Sequence, residues 1–243
     1  MRLGAAHRPL WKSAAALSNV RPALARRIVA EGLGTALLVA TVVGSGIMAE
    51  RLAGGNLAVA LTANTLATGA ALVALILTFG PISGAHFNPV VTLAAALEYA
   101  LSWRDVPGYI FAQMVGGVIG TAIAHLMFAL PLFSLSTHQR HGGSILFSEF
   151  VATFGLLAVI WGCTRSRPAI TPFAVACYIV AAYWFTASTS FANPAVTVAR
   201  CLTNTFSGIR PADVPGFLAA QILGAWAATL LLRWMAPAQA LPE

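Results

Sequence analysis

Ser83-Gly84-Ala85-His86-Phe87-Asn88-Pro89-Val90 and Ser190-Phe191-Ala192-Asn193-Pro194-Ala195 each lie between long apolar runs. An Asn-Pro pair in such a setting starts a helix. Asparagine is a good N-cap, and proline suits the first helical turn because its missing N–H has no partner there. Two helices that start inside a membrane direct the positive ends of their dipoles at whatever lies between them. The pattern therefore predicts an all-α membrane protein with a pore at the meeting point.

Composition supports a membrane protein. The 243 residues are 58% hydrophobic and 9% charged, whereas a soluble domain carries about a quarter charged residues. The net charge of +7 does not point to nucleic acid. Six of the 14 basic residues (Arg2, Arg8, Lys12, Arg21, Arg26, Arg27) precede the first apolar run, and no basic stripe with interleaved aromatics follows. This is the signature of positive-inside topology. The patch at 14–17 is too short for a signal-peptide core. Cys163, Cys177 and Cys201 have neither CxxC nor Cys/His metal spacing and read as small packing residues. No cofactor or metal is expected.

Six runs are long enough to cross a bilayer: 28–49, 57–79, 106–130, 145–163, 169–187 and 214–234. Six spans return the C-terminus to the starting side. With the N-terminus in the cytoplasm, that side holds the six tail residues with Arg104, Arg165, Arg167 and Arg233, and the outer side holds Arg51, Arg140, Arg200 and Arg210. The segments after the two Asn-Pro pairs are too short to cross and read as re-entrant half-helices.

The two halves repeat. Ala30-Glu31 opens the first span and Ser148-Glu149 the fourth. Ala112-Gln113-Met114-Val115-Gly116-Gly117 in the third matches Ala220-Gln221-Ile222-Leu223-Gly224-Ala225 in the sixth. Three spans per half is an odd number, so the second half is inverted, an architecture that places a solute site at the midplane. Residues 1–24 read as a cytoplasmic basic tail and 25–132 as the first repeat, with its half-helix at 88–99. Residues 145–235 form the second repeat, with its half-helix at 193–204, and 236–243 a C-terminal tail. Irregular backbone at this depth is tolerated only where it is buried or lines a water-filled cavity. Loops 83–87 and 190–192 are therefore expected to present carbonyls to a pore.

At these residues the chain resembles the major intrinsic protein family, the aquaporins and glycerol facilitators, over nearly all of residues 25–234. The resemblance rests on the duplicated Asn-Pro boxes, Ser-Gly-Ala-His before the first, and a Glu and a Gln at matching places in each half. It implies six membrane helices and two half-helices, one pore per protomer, a homotetramer in the inner (plasma) membrane, and passive flow of water or small neutral solutes. Asn88 and Asn193 would donate amide N–H groups to solute oxygens, with Pro89 and Pro194 setting the half-helices. Their capping role coexists with this one.

The chain departs from the family pattern in two places. The first box has Val90 where the family has Ala, as at Ala195. The family's outer constriction includes an Arg three residues after the second Asn, and here that residue is Val196. Counting without gaps from each box gives Thr68, Ala181 and Ser190 as the other filter positions. All four are small and uncharged, so the filter is expected to be wide and to lack a fixed cation. Arg200, one helical turn beyond Val196 and about 6 Å further along, is a candidate outer-mouth cation. Glu31 and Glu149 are expected to accept N–H bonds from the Asn-Pro loops; no chain of ionisable partners supports a proton relay. His86 is read as shaping its loop, His125 as a satisfied interior histidine, and Gln113 and Gln221 as contacts between helices beside small residues.

A filter with Val for Arg is similar to that of aquaglyceroporins of bacterial arsenic-resistance operons. That subgroup implies trivalent arsenic hydroxide and methylated arsenicals as solutes beside glycerol and water. The competing readings are a general glycerol/urea/water facilitator and a closed-pore membrane scaffold. An enzyme is not expected, since HExxH, a helical GxSxG and paired Asp are all missing from the sequence.

Overall fold

The computed structural model describes residues 22–235. The basic tail expected at 1–24 lies almost wholly outside the described residues, and the C-terminal tail at 236–243 lies wholly outside them. Among the described residues there are eight α-helices: α1 (Leu24–Leu52), α2 (Leu57–Ser83), α3 (Pro89–Leu97), α4 (Val106–Met127), α5 (Gly143–Ser166), α6 (Thr171–Phe185), α7 (Pro194–Arg200) and α8 (Val214–Met235). All but α3 and α7 belong to segments long and apolar enough to cross a membrane. This is the expected plan of six spans and two half-helices.

Element ends differ from the sequence reading for identifiable reasons. The second span runs past Gly80-Pro81 to Ser83 and closes on Gly84, whose N–H reaches the Gly80 carbonyl with φ +94°. A proline in the last turn removes one ladder bond without preventing that turn. The half-helix α3 ends at Leu97, not at 99. Tyr99 takes φ +60° and the Ala100 N–H returns to the Ala95 carbonyl, a Schellman-type closure with tyrosine where glycine is usual. α7 stops at Arg200, not at 204. The N–H groups of Ser134 and Ser136 in the inter-repeat loop take the Leu202 and Cys201 carbonyls. Cys177 is exposed, so packing in the interior does not describe it.

The packing is duplicated. α1 packs on α2 and α4 as α5 packs on α6 and α8, and α2 meets α6 across the pseudo-dyad. Each half-helix lies against long helices of both repeats, α3 against α4 and α8, α7 against α4 and α8. Glycine permits the closest helix crossings. A Cβ at Gly116 would lie 2.2 Å from the Gly32 carbonyl oxygen, and one at Gly224 would lie 2.4 Å from that of Phe150. The α1–α4 and α5–α8 pairs therefore approach backbone to backbone. This draws Gln113 and Gln221 close to the carboxylates of α1 and α5.

Candidate functional site: two copies of one loop around a cavity

A cavity of about 340 Å³ runs between the repeats, and both Asn-Pro loops line it. Its wall extends from Trp161 and Arg165 at one end, past Asn88 and Asn193, to Tyr183 and Arg200 at the other.

The loops are congruent in detail. Ser83 Oγ accepts the Ala85 N–H at 3.1 Å, and Ser188 Oγ accepts the Ser190 N–H at 3.2 Å. Ala85 and Phe87 take φ +50° and +49°, and Ser190 and Ala192 both take +48°. Non-glycine residues adopt this region only where the surroundings enforce it. Here the enforcing groups are two buried carboxylates. Glu31 Oε1 accepts the His86 N–H at 2.9 Å, and its Oε2 accepts the Phe87 N–H at 2.7 Å. Glu149 takes the Phe191 and Ala192 N–H groups at 2.8 and 2.9 Å.

Each carboxylate is held in turn. Gln113 Nε2 donates to Glu31 at 2.8 Å and to Thr92 Oγ1 at 2.8 Å; Gln221 Nε2 donates to Glu149 at 2.7 Å and to Thr197 Oγ1 at 2.9 Å. Glu31, Glu149, Gln113 and Gln221 all have 0% exposure, so these bonds work without competition from water. The glutamines therefore do more than join helices. Thr92 and Thr197 were not singled out in the sequence. Both stand four residues after their Asn, and superposing the two boxes would have found them.

Each Asn does three things. Its Oδ1 caps its own half-helix, Asn88 through the Val90 N–H at 3.1 Å and Asn193 through the Ala195 N–H at 2.9 Å. Its Nδ2 donates to the opposite loop: Asn88 to the Ala192 carbonyl and Asn193 to the Phe87 carbonyl, both at 2.8 Å. An amide nitrogen carries two hydrogens; one goes to the opposite loop, and both residues line the cavity. Pro89, Val90, Pro194 and Ala195 are buried at the abutting helix starts. Val90 packs in the core and is not in the cavity wall.

The structure brings Thr68, Ser190 and Val196 into the cavity wall and leaves Ala181 out of it. Ala181 is exposed on the far side of α6. Two residues are about 200° apart around a helix, and it is Tyr183 that faces inward, with its hydroxyl 3.4 Å from Thr68 Oγ1. The gap-free count misplaced this position because it assumed one loop length between α6 and the box. The cavity wall beside Thr68 is thus not made of small residues alone. His86 lines the cavity, with Nδ1 3.1 Å from Thr92 Oγ1 and its ring against Tyr109. His125 is satisfied in the interior by the Pro131 carbonyl and Thr203 Oγ1, at 2.6 and 2.7 Å.

Arg200 is buried, donates from Nε to the Ser207 carbonyl, and stacks with Cζ 3.4 Å from the Phe191 ring centroid. Arg140, from the inter-repeat loop, also approaches this ring, at 5.1 Å, and donates to the Gly208 and Ser188 carbonyls. Burial lowers the Arg140 pKa, opposed by the nearby Glu149 charge. At the other end, Glu98 pairs with Arg165 at 2.6 Å and Arg233 at 3.0 Å. Among the described residues, no group of three or more His, Cys, Asp and Glu side chains is placed to hold a metal ion.

A family profile described as Major intrinsic protein matches residues 18–181 and 168–242. The chain belongs to the major intrinsic protein family. It is a multi-pass membrane channel and not an enzyme. Aquaglyceroporin AqpS of Rhizobium meliloti (strain 1021) is 57% identical over 212 residues, covering 87% of this chain and 91% of that protein. Aquaporin NIP1-1 of Zea mays is 30% identical over 219 residues, covering 85% of this chain and 74% of that protein. The X-ray structure of the aquaglyceroporin from Plasmodium falciparum superposes with a TM-score of 0.67 at 20% identity, over 86% of this chain and 96% of that one. That likeness concerns the fold.

Proposed function

We propose that this chain is a passive plasma-membrane pore for small neutral solutes, water and glycerol among them, wide enough for arsenite and methylated arsenicals. The observation that carries the reading is Val196 in the cavity wall, where the family pattern has an arginine. Asn88 and Asn193 offer donors at mid-pore, and the helix starts behind them add positive potential that disfavours protons and cations. The name of the relative AqpS, an aquaglyceroporin, is in keeping with a solute larger than water. The cavity counts against a closed scaffold, since it is lined from Arg165 to Arg200 by side chains of both repeats.

Both termini are assigned to the cytoplasm, which places Arg165 and Arg233 at the inner mouth and Arg140 and Arg200 towards the outer one. Assembly as a homotetramer follows the family pattern. The test is a flux panel in proteoliposomes with water, glycerol, urea, arsenite and methylarsenate. The expected outcome is glycerol and arsenite flux well above that of empty vesicles. Water flux with neither would overturn the wide-filter reading and leave a strict water channel.

A further inference from the structure

Arg200 is in an unusual position for a charged side chain. It is 2% exposed, and none of the ion pairs among the described residues includes it. Burying a guanidinium without a counter-ion is costly unless its N–H groups are taken up. Here Nε reaches the Ser207 carbonyl, but Nη1 is buried without a partner. Ser190 Oγ, in the wall of the same cavity, is likewise buried and unpartnered. Buried polar atoms in folded proteins nearly always have a partner. Arg200 and Ser190 each leave one such atom unpaired, and both residues line the same cavity.

The local build explains how the charge arrives there. Arg200 follows Val196 by one helical turn and so lies on the same face of α7. The face of Phe191 supports the guanidinium there. Arg140 approaches the same ring, but its Nε and Nη1 are engaged by the Gly208 and Ser188 carbonyls, and it is not in the cavity wall.

We propose that Arg200 is the fixed cation of the outer constriction: its charge excludes cations, and with Ser190 it binds an acceptor oxygen of the passing solute, while Val196 sets the width. This rests on the channel reading above, but it separates two properties that a filter arginine would combine. The favoured solute class is neutral and hydroxylated, able to accept from a guanidinium and exchange a hydrogen bond with a serine.

The test uses the full chain in proteoliposomes. Cation leak is read from a pH-sensitive dye under an imposed potassium potential and normalised to incorporated protein. Glycerol flux of the wild type is measured separately and tests the channel reading by itself. Arg200→Met should raise the cation leak at least about tenfold, because a unit charge about 6 Å away at an effective dielectric near 20 dominates thermal energy. Arg200→Lys should stay close to the wild type. Arg200→Gln keeps a donor for the Ser207 carbonyl without the charge, so it carries the same expectation should the methionine variant fail to insert. Arg140→Met should leak less than either neutral Arg200 variant. An Arg200→Gln leak equal to the wild type, or an Arg140→Met leak as large as that of Arg200→Gln, would overturn the proposal.

Discussion

The two Asn-Pro loops share a backbone and differ in what hangs from it. His86 and Phe191 occupy the same place, each between two left-handed residues and each donating its N–H to a buried glutamate. In the first repeat the ring is polar, bonds to Thr92 and rests against Tyr109. In the second it is apolar, rests on Phe217 at 5.1 Å, and turns a face to Arg200. Tyr109 and Phe217 themselves correspond, each following Val-Pro-Gly at the start of α4 and α8. Duplication thus holds in the backbone and in the paired asparagines, and lapses in the ring at the loop centre. The shared glutamate, glutamine and threonine set aim the carbonyls and amides, and the unlike rings give the two ends of the pore different chemistry.

The largest effect should come from removing a carboxylate. Glu31 takes four donors, from Ser83, His86, Phe87 and Gln113, while Glu149 takes three, from Phe191, Ala192 and Gln221. Each orphaned buried donor costs about 1–3 kcal/mol. Glu31→Leu and Glu149→Leu should both abolish flux and lower the thermal unfolding midpoint in detergent, Glu31→Leu by more. Equal midpoints would show that the extra Ser83 bond adds nothing. The milder Glu149→Gln should reduce expression or conductance and leave solute preference unchanged, because it keeps an acceptor oxygen but loses the charge.

Next come the paired crossings. Gly116→Ala and Gly224→Ala each force a methyl onto a facing backbone carbonyl, and overpacking of this kind costs about 1–3 kcal/mol. Matched losses in unfolding free energy would confirm that the helix pairs are equivalent. A loss in only one would break the symmetry at the level of the scaffold.

The outer constriction should respond more selectively. Val196→Arg adds a long side chain with five donors beside Ser190 and Arg200. The methylarsenate-to-water flux ratio should fall about tenfold, a barrier difference of roughly 1.4 kcal/mol. An unchanged ratio would put the narrowest point elsewhere. Tyr183→Phe removes only a hydroxyl 3.4 Å from Thr68, long for such a bond, so the glycerol-to-water ratio should move by about twofold or less.

The spans were legible because a bilayer demands length and apolarity, and the half-helices because Asn-Pro can only begin a helix where they stand. Glu31, Glu149, Gln113 and Gln221 were legible as polar residues in apolar surroundings that recur at matched places. The left-handed turns at Ala85, Phe87, Ser190 and Ala192 left no trace, since alanine and phenylalanine do not announce positive φ. They are imposed from outside the loop by carboxylates distant in sequence. Tyr183 was hidden by helical phase: a two-residue error in counting turns a lining position into an exposed one. Arg140 could not be seen, because only folding brings the inter-repeat loop against Phe191.

The crossed bonds from Asn88 to the Ala192 carbonyl and from Asn193 to the Phe87 carbonyl also bear on how the protein is made. Neither repeat contains both ends of either bond. A nascent chain that has inserted only its first three spans holds a capped half-helix whose amide has nothing to meet. The aperture therefore comes into being when the second repeat docks, and not before. A chain with one repeat lacks half of the pore wall, so the route through the membrane belongs to the docked pair and to neither repeat alone.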